Sequence, residues 1–432
     1  MNGMVIRRAR RALAVAPFTS GESILVRSLR ALRWTTQFGR MLGPLLRPTE
    51  ASDVPDQCTV ECSDEFLQSL TLPDRPQKTA FEKTLPDEAS TIQRMARLAA
   101  CAVVTNYCHG KSADPAAKAL RDQHAIAHGC VRAEFIVRDD LTDEFAIGVF
   151  RRGARYDAVL RFSNARPTPQ SDKKWDGRGL AIKLIGVNGP TALSTLVPDL
   201  AHLRDQDFLF GSFPVFFCRN IFDYAELMDA VVAPTGSRRE RLVWLGKWLR
   251  FIGKHPRQFS LFVRIGMRKI DNPLHATYHS MAPYLFGEDK VVRYMVGPTD
   301  AGNEPAADPD RSRSDNFLRE ALAADLNPDR HYGEKVVLNF SIRLRHTAEI
   351  DDVEDASRWW NGPLDANVLL ARIEIPAQDF LTPDDVCACE NRAFNPWNCL
   401  WQHRPLGSLN RMRLAVYLAS LQVRHKLNML AP

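Results

Sequence analysis

The hydrophobic positions follow different periods in successive parts of the chain. Over residues 1–48, Ile24, Leu25, Leu29, Leu32, Phe38, Leu42 and Leu46 alternate with Arg27, Arg30, Arg33 and Arg40. That is the pattern of a basic amphipathic arm, which either lies on an anionic membrane surface or wraps the body of its own protein. Wrapping is the preferred reading. Residues 49–84 are polar and punctuated by proline, and predict little regular structure. Helical spacing then predicts one helix over 89–107 and a second over 114–121.

From Cys130 the period shortens to two. Strands are expected at 131–137, 145–150, 156–163, 179–185, 276–281, 291–296, 336–344 and 368–375, with helices gathered between about 222 and 268 and a loop over 299–315. This count predicts an α+β chain: an antiparallel β-barrel of about eight strands with helical insertions. The period then returns to helical. Ser408, after the breakers Pro405 and Gly407, is a credible N-cap, and Leu409, Met412, Val416, Ala419, Val423 and Leu427 form a packing stripe. Beside it Arg413, Tyr417 and Arg424 stand at offsets of four and seven, so they share a face. A cation one turn from a phenol favours the anionic phenolate, a hard ligand suited to ferric iron.

Composition narrows the classes. The 432 residues are 45% hydrophobic and 25% charged, as in ordinary globular proteins. The net charge of +6 comes largely from the N-terminal arginines and does not imply a nucleic-acid partner. Cys58, Cys62, Cys101, Cys108, Cys130, Cys218, Cys387, Cys389 and Cys399 are odd in number and scattered, which suits reduced structural thiols in a cytoplasmic protein; no zinc spacing is present. No window is apolar enough to span a bilayer, and Pro17 cuts short the one stretch that mimics a signal sequence. A peripheral membrane contact through the arm and a homo-oligomer stay open.

Two segments carry further chemistry. Arg121-Asp122-Gln123-His124-Ala125 places a His at the approach to the first strand, and Arg161-Phe162-Ser163 ends another with a cation, a ring and a hydroxyl. A hydroxyl beside a His accepts its Nδ1 proton and leaves Nε2 as a base. Asp176-Gly177-Arg178-Gly179, Pro214-Val215-Phe216-Phe217-Cys218-Arg219 and Phe394-Asn395-Pro396-Trp397-Asn398 follow in order.

Taken together, and with Arg413-x-x-x-Tyr417 and Arg424, these segments resemble the haem-dependent catalase superfamily over residues 121–424. The resemblance implies a haem domain over 121–432, preceded by the arm over 1–48 and a segment with helices over 49–120. It implies haem b as cofactor, Tyr417 as the axial iron ligand on the C-terminal helix, and Arg413 holding that ligand anionic. Arg121, Arg161 and Arg424 are expected on the haem propionates, as guanidinium forks suit carboxylates. Phe162 and Phe216 are expected to line the ring. His124, oriented by Ser163, is expected to move a proton between the peroxide oxygens so that the O–O bond breaks heterolytically. Where the motif carries an Asn, this chain has Gly211 and then Ser212, whose hydroxyl is the one remaining distal donor; Phe213 further suggests an apolar pocket. The resemblance therefore implies an oxidoreductase acting on hydrogen peroxide or organic hydroperoxides, as a peroxidase or weak catalase. Alternatives are a fatty-acid hydroperoxide isomerase or dehydratase of the allene oxide synthase type, and a non-enzymatic haem-binding protein. The C-terminal flavodoxin-like domain of large catalases is not expected.

Overall fold

The computed structural model describes residues 72–429, apart from 74, 75, 77, 201, 232–237, 300–312, 331–332, 346–347 and 363–364. The arm expected over 1–48, and most of the segment expected over 49–84 and of the loop over 299–315, lie outside the described residues.

Alternating side chains build nine antiparallel strands among the described residues. They are β1 (Ala127–Val137), β2 (Arg155–Asn164), β3 (Arg178–Ile185), β4 (Asp205–Gly211), β5 (Tyr278–His279), β6 (Tyr284–Phe286), β7 (Lys290–Pro298), β8 (Lys335–Arg345) and β9 (Asp365–Pro376). Their order is β5-β4-β3-β2-β1-β9-β8-β7-β6, and β5 also pairs with β7. That extra pairing closes eight strands into a barrel and leaves β6 as a hairpin arm on β7. Closure removes the exposed edges that an open sheet offers to other chains.

The barrel is filled by rings. Phe340 lies 5.0 Å from Phe208, 5.1 Å from Phe135 and 5.6 Å from Phe150, all nearly or fully buried. His403 is buried among them, edge-on to Phe150 at 5.1 Å, and its Nε2 accepts the Val149 amide at 3.3 Å. Burial pulls the His403 pKa from 6.5 down to about 3. A group whose folded pKa is depressed stabilises fully above its unfolded value and loses that contribution as pH falls through the folded one. The parent's advantage over His403→Gln at pH 7 should therefore shrink by about 3 kcal/mol by pH 4, as read by urea unfolding at both pH values.

Several expectations are corrected. Residues 145–150 are not a strand: they end in a 3-10 turn, Gly148–Phe150, with Gly148 at φ 57°. A Cβ there would stand 2.2 Å from His403 Nε2, so packing needs the glycine. Residues 114–121 are irregular rather than helical. Pro115 interrupts them, and Ala119 exchanges both backbone bonds with the Asn428 side chain at 2.8 and 3.0 Å. The run 276–281 shrinks to the two-residue β5, while β4 and β6 were not foreseen as strands. Cys130 and Cys389 form a disulfide instead of remaining thiols. A separation of 259 residues hides such a pair from sequence spacing.

The helices are α1 (Glu88–Ala113), α2 (Ala192–Leu196), α3 (Ile221–Val231), α4 (Arg238–Lys254), α5 (Pro256–Gly266), α6 (Phe317–Asp325), α7 (Ile350–Glu354), α8 (Pro383–Asn391) and α9 (Ser408–Leu427). The chain divides into two compact units. One takes in Glu226–Leu261, where Trp244, Trp248 and Phe251 are buried and His255 bonds Glu226 at 2.9 Å. The other holds the barrel, α1 and α9. There Ala415, Ala419 and Val423 of α9 pack on Ala96, Ala100, Val103 and Val104 of α1, small residues that let two helix backbones approach. Buried Arg411 fixes the first turns of α9 through Glu82 and Glu88, both at 2.6 Å, and Glu354 at 3.1 Å. Among the described residues no helix is long and apolar enough to cross a membrane.

Candidate functional site

The outer face of β2, β3 and β4 meets α9 across a cavity bordered by His124, Ser163, Ser212, Arg121, Arg161, Phe216, Arg413, Tyr417 and Arg424. Strand alternation explains the barrel side. Arg161 and Ser163 leave β2 on one face, while Phe162 between them faces the barrel interior. Helical spacing explains the other side, where Arg413, Tyr417 and Arg424 descend one face of α9.

His124 sits just before β1 at φ 56°, a left-handed conformation that costs energy unless its surroundings enforce it. Three bonds enforce it. Its amide donates to Ala165 O at 3.1 Å, the next amide donates to Arg166 O at 3.2 Å, and its own carbonyl accepts from Arg161 at 2.9 Å. Nδ1 lies 3.0 Å from Ser163 Oγ. Burial first, and then the Arg161 charge, lower the His124 pKa from 6.5 to about 4. The imidazole is therefore neutral near pH 7. Its ring lies against Gly179, where a Cβ would come within 2.4 Å of Cε1 and 2.5 Å of Nδ1.

On α9, Arg413 donates to Tyr417 Oη at 3.3 Å with its cation 5.4 Å from the ring centroid, and also to Asn410 Oδ1 at 2.9 Å and Tyr284 Oη at 3.5 Å. Burial works against the Arg413 charge, but the Tyr417 and Tyr284 phenols outweigh it and raise its pKa. At the rim, Arg121 pairs with Glu390 at 3.1 Å and Arg161 with the same carboxylate at 3.8 Å, while Arg424 donates to the Glu390 carbonyl. The Cys130–Cys389 disulfide ties α8, which carries Glu390, to β1. Two carboxylates, Glu390 and Asp122, act on three guanidiniums and do not balance their charge. Burial, then the repulsion of Arg121, lowers the pKa of Arg161 and of Arg424 to about 9. Arg161 Nε and Arg424 Nε have no hydrogen-bond partner among the described residues. Buried, undercompensated guanidiniums of this kind call for anionic oxygens.

No family model matches this sequence, and no curated protein does. Solved structures do. A fungal catalase superposes with a TM-score of 0.51 at 14% identity, covering 84% of this chain and 68% of its own. A bacterial catalase gives 0.53 at 13%, covering 85% of this chain and 71% of its own. The chain has the catalase fold. At such identity the likeness extends to the architecture alone, so the roles of the side chains rest on the geometry above.

Within this catalase fold, not every expected residue reaches the cavity. Phe162, expected to line a ring, is fully buried in the barrel 6.1 Å from Tyr278. Phe213 packs edge-on to Trp359 at 5.7 Å and does not border the cavity. Ser212 borders it, but its Oγ accepts the Arg178 amide at 3.1 Å and so ties β3 to β4. Gly211, expected where the motif carries an Asn, and Tyr224 border the cavity, and other lining residues were missed: Asp122, Gly179's strand neighbours Arg178 and Leu180, and Met281. Burial pushes the Asp122 pKa from 3.8 up to about 6. Glycine inside a strand often marks a close approach, which was the available signal for Gly179 and Gly211. Met281 carries no such signal. Among the described residues no group of three or more His, Cys, Asp or Glu is placed to hold a metal ion.

Proposed function

We propose that this chain is a haem-dependent oxidoreductase that reacts with hydroperoxides, with Tyr417 as the axial iron ligand and His124 as the acid–base group facing it. The observation that carries the reading is that both residues border one cavity that also takes in three guanidiniums, two of them buried with an Nε that has no hydrogen-bond partner among the described residues. The residues fit haem b on their own chemistry. Two propionates would satisfy Arg121, Arg161 and Arg424, including the partnerless Nε groups. Leu409, Met412, Val416 and Phe216 supply apolar lining for a flat ring. Bound there, haem would supply a ferric Lewis acid and redox centre.

The chain's own groups do the rest. Arg413 keeps its charge and donates a hydrogen bond to Tyr417 Oη. Ser163 Oγ accepts Nδ1–H of His124, which leaves a lone pair on Nε2. Being neutral at pH 7, that nitrogen takes the proton from one peroxide oxygen and returns it to the other as the O–O bond breaks. At the position where the motif carries an amide side chain, Gly211 has none. Loss of one positioned donor removes on the order of 2–4 kcal/mol of transition-state stabilisation. Dismutation of hydrogen peroxide should therefore be slow, and organic hydroperoxides, whose alkyl part suits the apolar lining, should be preferred. The same missing amide favours a second reading, rearrangement of a fatty-acid hydroperoxide without oxygen release or a consumed reductant.

The purified chain, supplied with haem, should show a Soret band of a tyrosinate-ligated ferric haem, consume an alkyl hydroperoxide faster than hydrogen peroxide, and release little oxygen. A chain that takes up no haem overturns the proposal. Rapid oxygen release would instead return it to true catalase activity, and rearranged product without a reductant selects the second reading.

A further inference from the structure

Gly179 and Gly211 face each other in register across β3 and β4. Directly opposed residues on antiparallel strands point to the same side, so two missing side chains leave a strip of bare backbone on the cavity side. His124 occupies the Gly179 end of that strip. Met281 occupies the other: a Cβ on Gly211 would stand 2.3 Å from Met281 Sδ. The thioether thus lies beside the imidazole, and both border the cavity.

The backbone aims it there. Met281 is at φ 60°, and the Ala282 amide donates to Ser280 O at 2.7 Å, so Met281 is the apex of a γ-turn of the rarer, strained sign. The turn is pinned on both sides, because Ser280 Oγ donates to Ala282 O at 2.9 Å and accepts the Tyr294 amide at 3.1 Å. A strained, bonded turn that presents one side chain to a reaction cavity is costly to keep for packing alone.

We propose that Met281 is a site of direct oxidation by hydroperoxide, with His124 as the proton carrier. The step balances without any other reactant. A sulfur lone pair attacks one peroxide oxygen, and the O–O bond breaks with its electron pair leaving on the other oxygen. His124 Nε2 takes the proton from the attacked oxygen and delivers it to the departing one. The thioether becomes a sulfoxide, oxidised by two electrons, and the hydroperoxide is reduced to water or an alcohol. The product carries a strong acceptor oxygen beside His124, in a wall where the thioether is only a weak one, so the modification changes the polarity of the cavity. This inference rests on the hydroperoxide reading only for the choice of oxidant; its chemistry needs no haem.

The test is peptide mass mapping of the full-length chain after graded doses of hydrogen peroxide and of tert-butyl hydroperoxide, with haem-loaded and haem-free fractions separated. Met429, 94% exposed, is the internal reference, and buried Met95, which does not border the cavity, marks the protected limit. Exposure alone ranks Met429 first. The proposal requires Met281 to form sulfoxide at least as fast as Met429 in the haem-free fraction. His124→Gln should slow Met281 by about a hundredfold or more, the low end of general acid–base assistance, and leave Met429 unchanged. Ser163→Ala, which keeps the imidazole but releases its orientation, should slow Met281 severalfold and guards against a misfolded His variant. Protection of Met281 alongside Met95 overturns the proposal, as does indifference to both variants. Selectivity confined to the haem-loaded fraction overturns the direct step. Failure to bind haem with Met281 still selectively oxidised leaves this inference standing and removes the enzymatic reading.

Discussion

His124→Ala lowers the rate of reaction with a hydroperoxide by about 10²- to 10⁴-fold while the chain keeps its haem, measured by single-turnover stopped-flow absorbance. The magnitude is that of a positioned general acid–base. The reason for sparing the haem is geometric: His124 belongs to the barrel side of the cavity, whereas Arg413 and Tyr417 belong to α9. On the proposed reading, the reaction in the parent requires the neutral imidazole. Burial and the Arg161 charge hold its pKa near 4, so the rate should stay level from pH 7 down to about 5 and fall as pH drops through about 4. An unperturbed histidine would lose activity near pH 6.5 instead. Unchanged reactivity in the variant would make the protein a haem carrier with no use for its distal histidine.

The parts of the molecule legible in its residue pattern are those set by local period. The two-residue alternation from Cys130 predicts the barrel, and the three- and four-residue spacing after Ser408 predicts α9 with Arg413, Tyr417 and Arg424 on one face. Alternation also contained a finer message. Neighbours on a strand face opposite ways, so Arg161 and Ser163 in the cavity require Phe162 outside it, and the structure buries Phe162 in the barrel. What local period does not encode is contact between distant segments. The Cys130–Cys389 bridge and the Glu390 carboxylate over Arg121 both join residues more than 250 positions apart. Likewise, Gly148 breaks its expected strand because His403 lies against it. Met281 is the extreme case, since its position depends on a γ-turn, on Gly211 and on a cross-strand register together.

Tyr417→Phe should cost at least about 100-fold in haem affinity, read by haem transfer to an apo-globin acceptor. Even partners that only support a metal ligand are typically worth 10–100-fold, and on the proposed reading this change deletes the ligand atom itself. The phenyl ring preserves the packing of α9, so loss of haem would not reflect loss of fold. Unfolding of the haem-free variant should still fall by about 1–3 kcal/mol, because Arg413 loses its bond to the phenol and keeps a buried charge with only Asn410 and Tyr284 to answer it. Tyr417→His separates ligation from packing: an imidazole can bind the iron, so haem should be retained with a shifted Soret band. Should Tyr417→Phe hold haem as tightly as the parent with an unchanged spectrum, the iron is gripped by some other residue, and the three arginines have gathered around Glu390 for the sake of the fold alone.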